Sequence, residues 1–239
     1  MVKLLDCTTR DGGYSTNWDY PRGDIIELIN KLNSKNIEYF EIGYRNNQDT
    51  ENKGKFYCCD KDFLKSFYEQ KGSLKLGVMV DVKRISLDDF KCAQGDYLDF
   101  VRIATHPQDI EKTLKIAEEL HNRNYKVFVH LMEVSNIDTK GYIDLYSWDK
   151  KDILESLYFA DSFGELTPKQ IEYYFTKLEI LGYKKISFHA HNKNNLALEN
   201  TLKTIELGAY SVDVSQTNEG RNGGNLTMEE LIKNLPSIF

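Results

Sequence analysis

Proline is scarce in this chain, at 4 of 239 residues, and glycine reaches only 15. A collagen-like or low-complexity chain needs far more of both, so those classes are excluded. Cysteine is equally sparse. Cys7, Cys58, Cys59 and Cys92 show no repeated spacing and no C-x-x-C pair of the kind used for zinc or redox chemistry, and they read as free thiols of a reducing compartment. No run approaches the ~18 consecutive apolar residues of a membrane span, and the start, MVKLLDCTTR, lacks the apolar stretch of a secretory signal. A cytoplasmic protein with no membrane partner is the expectation. Positive charge is also short: 31 Lys and Arg stand against 37 Asp and Glu, a net charge of −6. That balance argues against nucleic acid as a partner, because phosphate binding rests on clustered Lys and Arg.

What is present is 41% hydrophobic residues and 12% aromatics, too many for a disordered chain. A chain of roughly 250 residues buries roughly 70–75% of its unfolded surface and makes one large domain or two small ones. Short, largely apolar runs recur at 3–9, 39–45, 75–82, 97–104, 125–134, 154–161, 185–192 and 211–217. Their length and composition suit parallel strands covered on both faces. Helical stripes alternate with them: Ile25, Leu28, Ile29 and Leu32; Ile110, Leu114 and Ala117; Ile171, Phe175, Leu178 and Leu181. The third stripe opens with Thr167 and Pro168, has Gln170 in capping-box position and closes at Gly182. Leu198, Leu202 and Ile205 run into Gly208, and a last helix is expected near 226–235. Eight strand–helix units in this length predict an α/β fold, a single (β/α)8 TIM barrel occupying 1–239 as one domain. The rival is a doubly wound open sheet. The longest expected loop, 46–62, would lie on the catalytic face, as a lid or recognition segment or as a solvated insertion.

Three strand ends carry residues suited to chemistry. In TTRDGGY (8–14), Arg10 and Asp11 leave the first strand and meet two glycines, which permit a sharp turn and close approach to a ligand. In FHAHNKNN (188–195), His189 and His191 are two apart on a strand and project to one face, an arrangement suited to a divalent metal. TNEGRNGGN (217–225) is glycine-rich but matches neither the P-loop nor the dinucleotide fingerprint. Taken singly, each has a plain reading: a turn with a surface ion pair, polar residues at a strand end, a flexible loop. Together they constrain one another. Asp11 on strand 1 and the two histidines on strand 7 share a metal only if those strands are neighbours but one, as they are in a closed eight-strand barrel.

The RDG segment ending strand 1, the H-A-H-N on strand 7 and the G-G-N after strand 8 resemble the metal-dependent pyruvate aldolase and acyl-CoA lyase/synthase superfamily. Hydroxymethylglutaryl-CoA lyase, isopropylmalate synthase and 4-hydroxy-2-oxovalerate aldolase belong to it. The resemblance implies that Asp11, His189 and His191 are metal ligands and that Asn225 completes or supports the site. It implies that Arg10 stabilises an enolate, and that Glu41 and Asp161 act catalytically or orient ligands and substrate. The implied cofactor is a divalent metal ion, Mn²⁺ or Mg²⁺ first, with Zn²⁺, Co²⁺ or Fe²⁺ as alternatives. Such an ion, chelated by the carboxylate and keto oxygens of a 2-oxo acid, acts as a Lewis acid while Arg10 stabilises the charge that develops as the adjacent bond breaks.

CTTRDGGY, FEIGYR and DSFG resemble the hydroxy-oxovalerate aldolase branch more than the CoA-dependent branches. The resemblance therefore implies a carbon–carbon lyase that cleaves a 4-hydroxy-2-oxo acid to pyruvate and an aldehyde. Two departures stand out. The aldolases carry a histidine general base three residues after the metal aspartate, where this chain has Tyr14. A phenol of ordinary pKa ~10 is a poor base, which leaves an acid or water-mediated role for Tyr14. His130 and His106 are the substitute bases, each with a structural reading beside it, and His121 reads as surface. The second departure is that the chain ends right after the eighth unit, without the C-terminal domain that docks a dehydrogenase in the longer aldolases. A channelling partner is therefore not expected, and a larger, sugar-derived aldehyde fits better than a volatile one. The alternatives are an acyl-CoA lyase or synthase, a non-haem Fe(II) oxygenase built on Asp plus two His, and a degenerate metabolite-binding barrel. The sequence leaves open the aldehyde, the metal preference and the oligomeric state, a homo-oligomer included.

Overall fold

The structure is a computed structural model and describes residues 2–235. Eight strands, β1 (Lys3–Asp6), β2 (Tyr39–Tyr44), β3 (Lys75–Asp81), β4 (Phe100–Thr105), β5 (Lys126–Leu131), β6 (Leu154–Asp161), β7 (Ile186–Ala190) and β8 (Ser211–Val214), pair in chain order. All pairings are parallel, and β8 returns to β1 with Leu4 opposite Val212, so the sheet closes into a barrel. The open-sheet alternative is thereby excluded. The helices are α1 (Thr8–Asp11), α2 (Gly13–Thr16), α3 (Arg22–Ser34), α4 (Lys61–Tyr68), α5 (Ile110–Asn122), α6 (Thr139–Ser147), α7 (Pro168–Ile180), α8 (Ala197–Glu206) and α9 (Met228–Asn234). The stripes expected of α3, α5 and α7 mark their buried faces, whereas in α8 Ala197, Asn200, Thr201 and Thr204 are buried and Leu198, Leu202 and Ile205 are only half-buried at its edge. In α3, Ile25, Ile29 and Leu32 are buried, contributing roughly 5–9 kcal/mol of gross apolar burial. At the start of α7 the Thr167 N–H donates to Gln170 Oε1 at 2.9 Å, the backbone half of the expected capping box.

Strict alternation of strands and helices fails at one crossover. Between β3 and β4 the chain makes two 3₁₀ turns, Leu87–Asp89 and Gln94–Asp96, in place of an α-helix. Side chains supply the hydrogen bonds that a helix would supply from its own backbone. The Arg123 guanidinium donates to the carbonyls of Leu87 and Phe90, and Asp96 accepts from the Lys91 N–H at 2.8 Å and from the Tyr125 hydroxyl. Phe90 and Ala93 are then the buried anchors of the segment.

Every strand except β6 is shorter than its apolar run, and three of the early ends have evident causes. β1 stops at Asp6, whose carboxylate accepts from the Thr8 N–H at 3.0 Å and turns the chain into α1. β5 ends at Leu131 ahead of Glu133, which sits at φ 49°. β8 stops at Val214 because Ser215 instead donates its N–H to the Leu226 carbonyl at 3.0 Å.

Alternate strand residues face the barrel interior. Leu5, Cys7, Tyr39, Phe100, Phe128 and Tyr158 form a buried cluster there, separate from the larger core between strands and helices. Tyr39, Phe100 and Phe128 meet edge-on at 5.2–5.6 Å between ring centroids. Two residues further along the same strands stand Glu41, Arg102 and His130, while His189 and Asp213 follow Ser187 and Ser211. The aromatic layer is thus the floor on which a polar layer rests, toward the carboxyl ends of the strands.

The 46–62 segment is only half solvated. Residues 47–53 are exposed, but Phe56, Tyr57 and Cys59 enter the core, and the Phe56 N–H donates to the Trp18 carbonyl at 3.3 Å. The solvated-insertion reading therefore holds for its first half alone.

Candidate active site

The helical turn α1 carries Asp11 back over the barrel mouth, with its N–H donating to the Cys7 carbonyl at 2.9 Å. The glycines that follow do not make the sharp turn anticipated from the sequence. Gly12 is right-handed helical at φ −61°, and a Cβ on Gly13 would overlap the Trp18 indole, so Gly13 serves packing. Across the mouth, His189 and His191 on and after β7 reach the same space. One ligand atom from each of Asp11, His189 and His191 lies within 4.8 Å of the others, and all three residues are buried. His191 Nε2 is 3.5 Å from Asp11 Oδ2.

The loop after β8 closes over this group through an antiparallel bridge between His191 and Asn225. Asn225 Nδ2 donates to Asp11 Oδ2 at 2.7 Å and to the Glu219 carbonyl at 2.8 Å. Gly220 sits at φ 143°, and a Cβ there would overlap the Asn225 amide and lie 2.7 Å from Asp11 Oδ2. A residue without a side chain is what lets this loop lie so close.

Beneath the group runs a chain of buried charges. Arg10 donates from Nη1 to Asp11 Oδ1 at 2.5 Å and from Nε to Glu41 Oε1 at 2.6 Å. Arg102 grips the same Glu41 with two bonds of 2.5 and 2.6 Å, and donates from Nη1 to Asp213 Oδ2 at 2.6 Å. Asp213 Oδ2 is 2.7 Å from His189 Nδ1. Sequence reasoning found Glu41 but missed Arg102 and Asp213. Their signal was a charged residue at an inward position of an otherwise apolar strand, in FVRIAT and SVDV.

The charges tune one another. Burial opposes ionisation of Asp11, yet the Arg10 guanidinium beside it holds its carboxyl well below the usual carboxylate range. Burial likewise opposes the Asp213 carboxylate, and Arg102 beside it still brings its pKa down. Burial pulls His189 down to about 4, against the Asp213 hydrogen bond, so its ring is neutral at pH 7. Its Nδ1–H donates to Asp213 and leaves the Nε2 lone pair free. His191 Nδ1 is 3.0 Å from the Asp161 carbonyl, which only accepts, so Nε2 of that ring is free as well. The layer beneath holds three carboxylates (Asp11, Glu41, Asp213) against two guanidinium groups (Arg10, Arg102), an excess of one carboxylate.

These residues fit a divalent ion. His191 Nε2, Asn225 Oδ1 and Arg10 Nη2 are buried and have no hydrogen-bond partner, as are His130 Nδ1 and Asp213 Oδ1. Buried polar atoms are normally satisfied, so a group of orphans around one space implies a ligand there. A carboxylate, two imidazoles and an amide oxygen make a donor set suited to first-row divalent ions or Mg²⁺. Cys7, His189 and Asp213 also come within 4.8 Å of one another. That set is a poor rival: burial pushes the Cys7 thiol well up, and Asp213 Oδ2 is already taken by Arg102 and His189.

The remaining candidates divide. The Asp161 carboxylate turns away, accepting the Glu165 and Leu166 N–H groups at 3.0 Å each, and only its main-chain carbonyl serves His191. His130 is buried, stacks on Tyr158 and meets His189 edge-on at 5.3 Å. Burial first and Arg102 second hold its pKa well below the usual imidazole value. His106 is half-buried, 3.9 Å from Asp81, and His121 is exposed on α5. Tyr14 is 42% exposed, with its hydroxyl 3.2 Å from that of Tyr44. It lines a cavity of about 320 Å³ on the β2–β5 side of the mouth, with Trp18, Tyr44, Tyr57, His106 and Arg221 among its walls.

Among the described residues no helix is long and apolar enough to cross a membrane. Over nearly its full length the chain is similar to known proteins. It is 25% identical over 231 residues to an oxaloacetate decarboxylase of Mycobacterium tuberculosis, covering 96% of this chain and 68% of that protein. It is 26% identical over 242 residues to a 4-hydroxy-2-oxovalerate aldolase of Carboxydothermus hydrogenoformans, covering 99% and 71%. Among solved structures, the N-terminal domain of a candidate aldolase from Bacteroides vulgatus superposes with a TM-score of 0.85 at 29% identity, covering 99% of this chain and 80% of that one. The family model described as HMGL-like matches residues 1–237, in agreement with the motif resemblance, and the chain belongs to the HMGL-like family.

Proposed function

We propose that this barrel is a divalent-metal-dependent carbon–carbon lyase that reversibly cleaves a 4-hydroxy-2-oxo acid to pyruvate and an aldehyde. The observation that carries the reading is the convergence of Asp11, His189 and His191 beside the unpartnered Arg10 Nη2. Asp11, His189 and His191 hold the ion, Mn²⁺ or Mg²⁺ first, with Asn225 completing or supporting the site. When bound, the ion supplies Lewis-acid polarisation of the substrate's 2-oxo group.

Arg10 is fixed by Asp11 and Glu41 through two of its nitrogens, and its third donates to the oxygen on which charge develops. Because Arg10 is already held, little reorganisation accompanies the reaction. Glu41 and Asp161 act as positioning residues, the first through both arginines and the second through its carbonyl on His191. His130, neutral and with Nδ1 free, takes the proton of the 4-hydroxyl as the C3–C4 bond breaks. Tyr14, hydrogen-bonded to Tyr44, orients the departing carbonyl.

A second reading is oxaloacetate decarboxylation, the activity named for the Mycobacterium relative. Tyr14 favours it: losing CO₂ from oxaloacetate leaves the same pyruvate enolate and needs no base on a hydroxyl. The test is to incubate the protein with Mn²⁺, pyruvate and a panel of aldehydes, with oxaloacetate in parallel, and to detect C–C bond formation by mass spectrometry. The aldolase reading expects at least one aldol product, lost on chelation of the metal. Oxaloacetate turnover with no aldol product from any aldehyde replaces it with the second reading.

A further inference from the structure

The cavity on the β2–β5 side of the mouth is far larger than a two-carbon aldehyde needs, at about 320 Å³, and its charge is uneven. Three cations line it, Lys53, Arg84 and Arg221, against two carboxylates, Asp49 and Asp81. Arg84 is already committed, 3.3 Å from Asp49 and hydrogen-bonded to the Tyr57 hydroxyl at 3.0 Å. Asp81 is engaged as well, accepting the Lys83 N–H at 2.8 Å with His106 nearby. Lys53 and Arg221 are different: among the described residues neither forms an ion pair with a carboxylate. Each rests over an aromatic ring, Lys53 at 5.0 Å from the Trp18 centroid and Arg221 at 4.7 Å from the Tyr14 centroid. Tyr14 and Trp18 in turn meet edge-on at 4.8 Å, so the two cations flank one aromatic corner of the cavity. In a chain of net charge −6, two uncommitted cations held together over one cavity mark a place for an anion.

A second observation concerns Asn46, which lines the same cavity and is buried, with an Oδ1 that has no partner. An amide oxygen so placed accepts from a hydroxyl. The cavity adjoins the proposed reaction centre through Trp18, whose Nε1 donates to the Arg10 carbonyl at 2.9 Å, and through Tyr14, three residues past Asp11.

Resting on the aldolase reading, we infer that this cavity is the acceptor subsite and takes a hydroxylated aldehyde ending in an anionic group, with Lys53 and Arg221 holding the anion and Asn46 a hydroxyl. In the synthetic direction C3 of pyruvate gives up one proton and bonds to the aldehyde carbon, while the aldehyde oxygen takes one proton. No oxidant or reductant enters. The anion is a phosphate or a carboxylate, since both present oxygens to an ammonium and a guanidinium.

The test uses the full chain with Mn²⁺ and fixed pyruvate. kcat/KM is measured for glyceraldehyde 3-phosphate, tartronate semialdehyde, uncharged glyceraldehyde and propionaldehyde. At least one anionic acceptor should exceed glyceraldehyde by about 10-fold or more, mainly through KM, and which one does so distinguishes phosphate from carboxylate. That ratio should fall toward unity in Lys53→Met and in Arg221→Met, and propionaldehyde should be the poorest acceptor. Equal or better use of uncharged acceptors, or a ratio that both substitutions leave intact, overturns the inference. Deuterium exchange into the pyruvate methyl group is followed in the same samples. Exchange together with aldol products formed equally well from all acceptors defeats only this subsite, whereas no exchange, or exchange with no aldol product from any acceptor, defeats the aldolase reading and the subsite with it.

Discussion

Removing Arg102 should be among the most damaging single changes to this barrel, although the residue touches none of the three proposed metal ligands directly. Its guanidinium is fully buried and makes three charge-assisted bonds, two to Glu41 and one to Asp213. Arg102→Met keeps most of the volume but leaves three buried carboxylates facing Arg10 alone, so the excess negative charge rises from one to two. Breaking a buried pair from one side costs about 3–5 kcal/mol. In a domain of this size that is a fall of roughly 10 °C in Tm. Pairing the change with Asp213→Asn returns the excess to one, so the double variant should be less destabilised than the sum of the singles by at least about 1 kcal/mol. Urea unfolding of metal-free wild type, both singles and the double supplies the cycle. Strict additivity, or a loss below about 1 kcal/mol for Arg102→Met, would refute the claim that this layer is held by coupled charges.

Gly220→Ala places a Cβ against Asn225 and Asp11 at φ 143°, so Mn²⁺ affinity measured by calorimetry should drop by at least about 10-fold and stability by about 1–3 kcal/mol. Acid sensitivity has two opposed sources. His189 stays neutral in the folded chain down to about 4, while the unfolded chain binds its proton below about 6.5, so stability falls by roughly 3 kcal/mol as pH drops through that window. Asp6, pushed up to about 6 by burial, keeps its proton in the folded chain where the unfolded chain loses it above about 4, so stability falls by roughly 3 kcal/mol as pH rises to 6. Asp6→Asn should therefore steepen the loss of metal-free stability between pH 6.5 and 4, and unfolding profiles identical to wild type would contradict the Asp6 assignment. Tyr14→Phe removes the hydroxyl facing Tyr44 and should lower aldol kcat by about 10-fold or more while Mn²⁺ affinity stays within about twofold. An unchanged kcat would exclude Tyr14 from the chemistry.

The barrel was legible because covered parallel strands leave short apolar runs, and eight of them fit this length. The positions of Asp11, His189 and His191 were legible because closure brings strands 1, 7 and 8 together. Arg102 and Asp213 were not, since a lone charge in FVRIAT or SVDV becomes meaningful only when closure sets Glu41, Asp213 and His189 around it. The same limit hid the role of Gly13, which depends on Trp18 folding back five residues later. Asp161 shows the converse: its position near the ligands was anticipated, but the direction of its carboxylate is set by the turn leading into α7. The β3–β4 crossover reads as one more alternating unit until Arg123 and Asp96 are seen capping its turns.

The central claim is that Asp11, His189 and His191 hold an ion beside Arg10 and so stabilise charge on the 2-oxo group of pyruvate. Deuterium incorporation into the pyruvate methyl group in D₂O, followed by mass spectrometry with no aldehyde present, tests it most directly. The account predicts exchange by the Mn²⁺-loaded protein that stops on chelation and falls by at least about 100-fold in Arg10→Met. Exchange that persists in the chelated protein, or that Arg10→Met leaves unchanged, would contradict it.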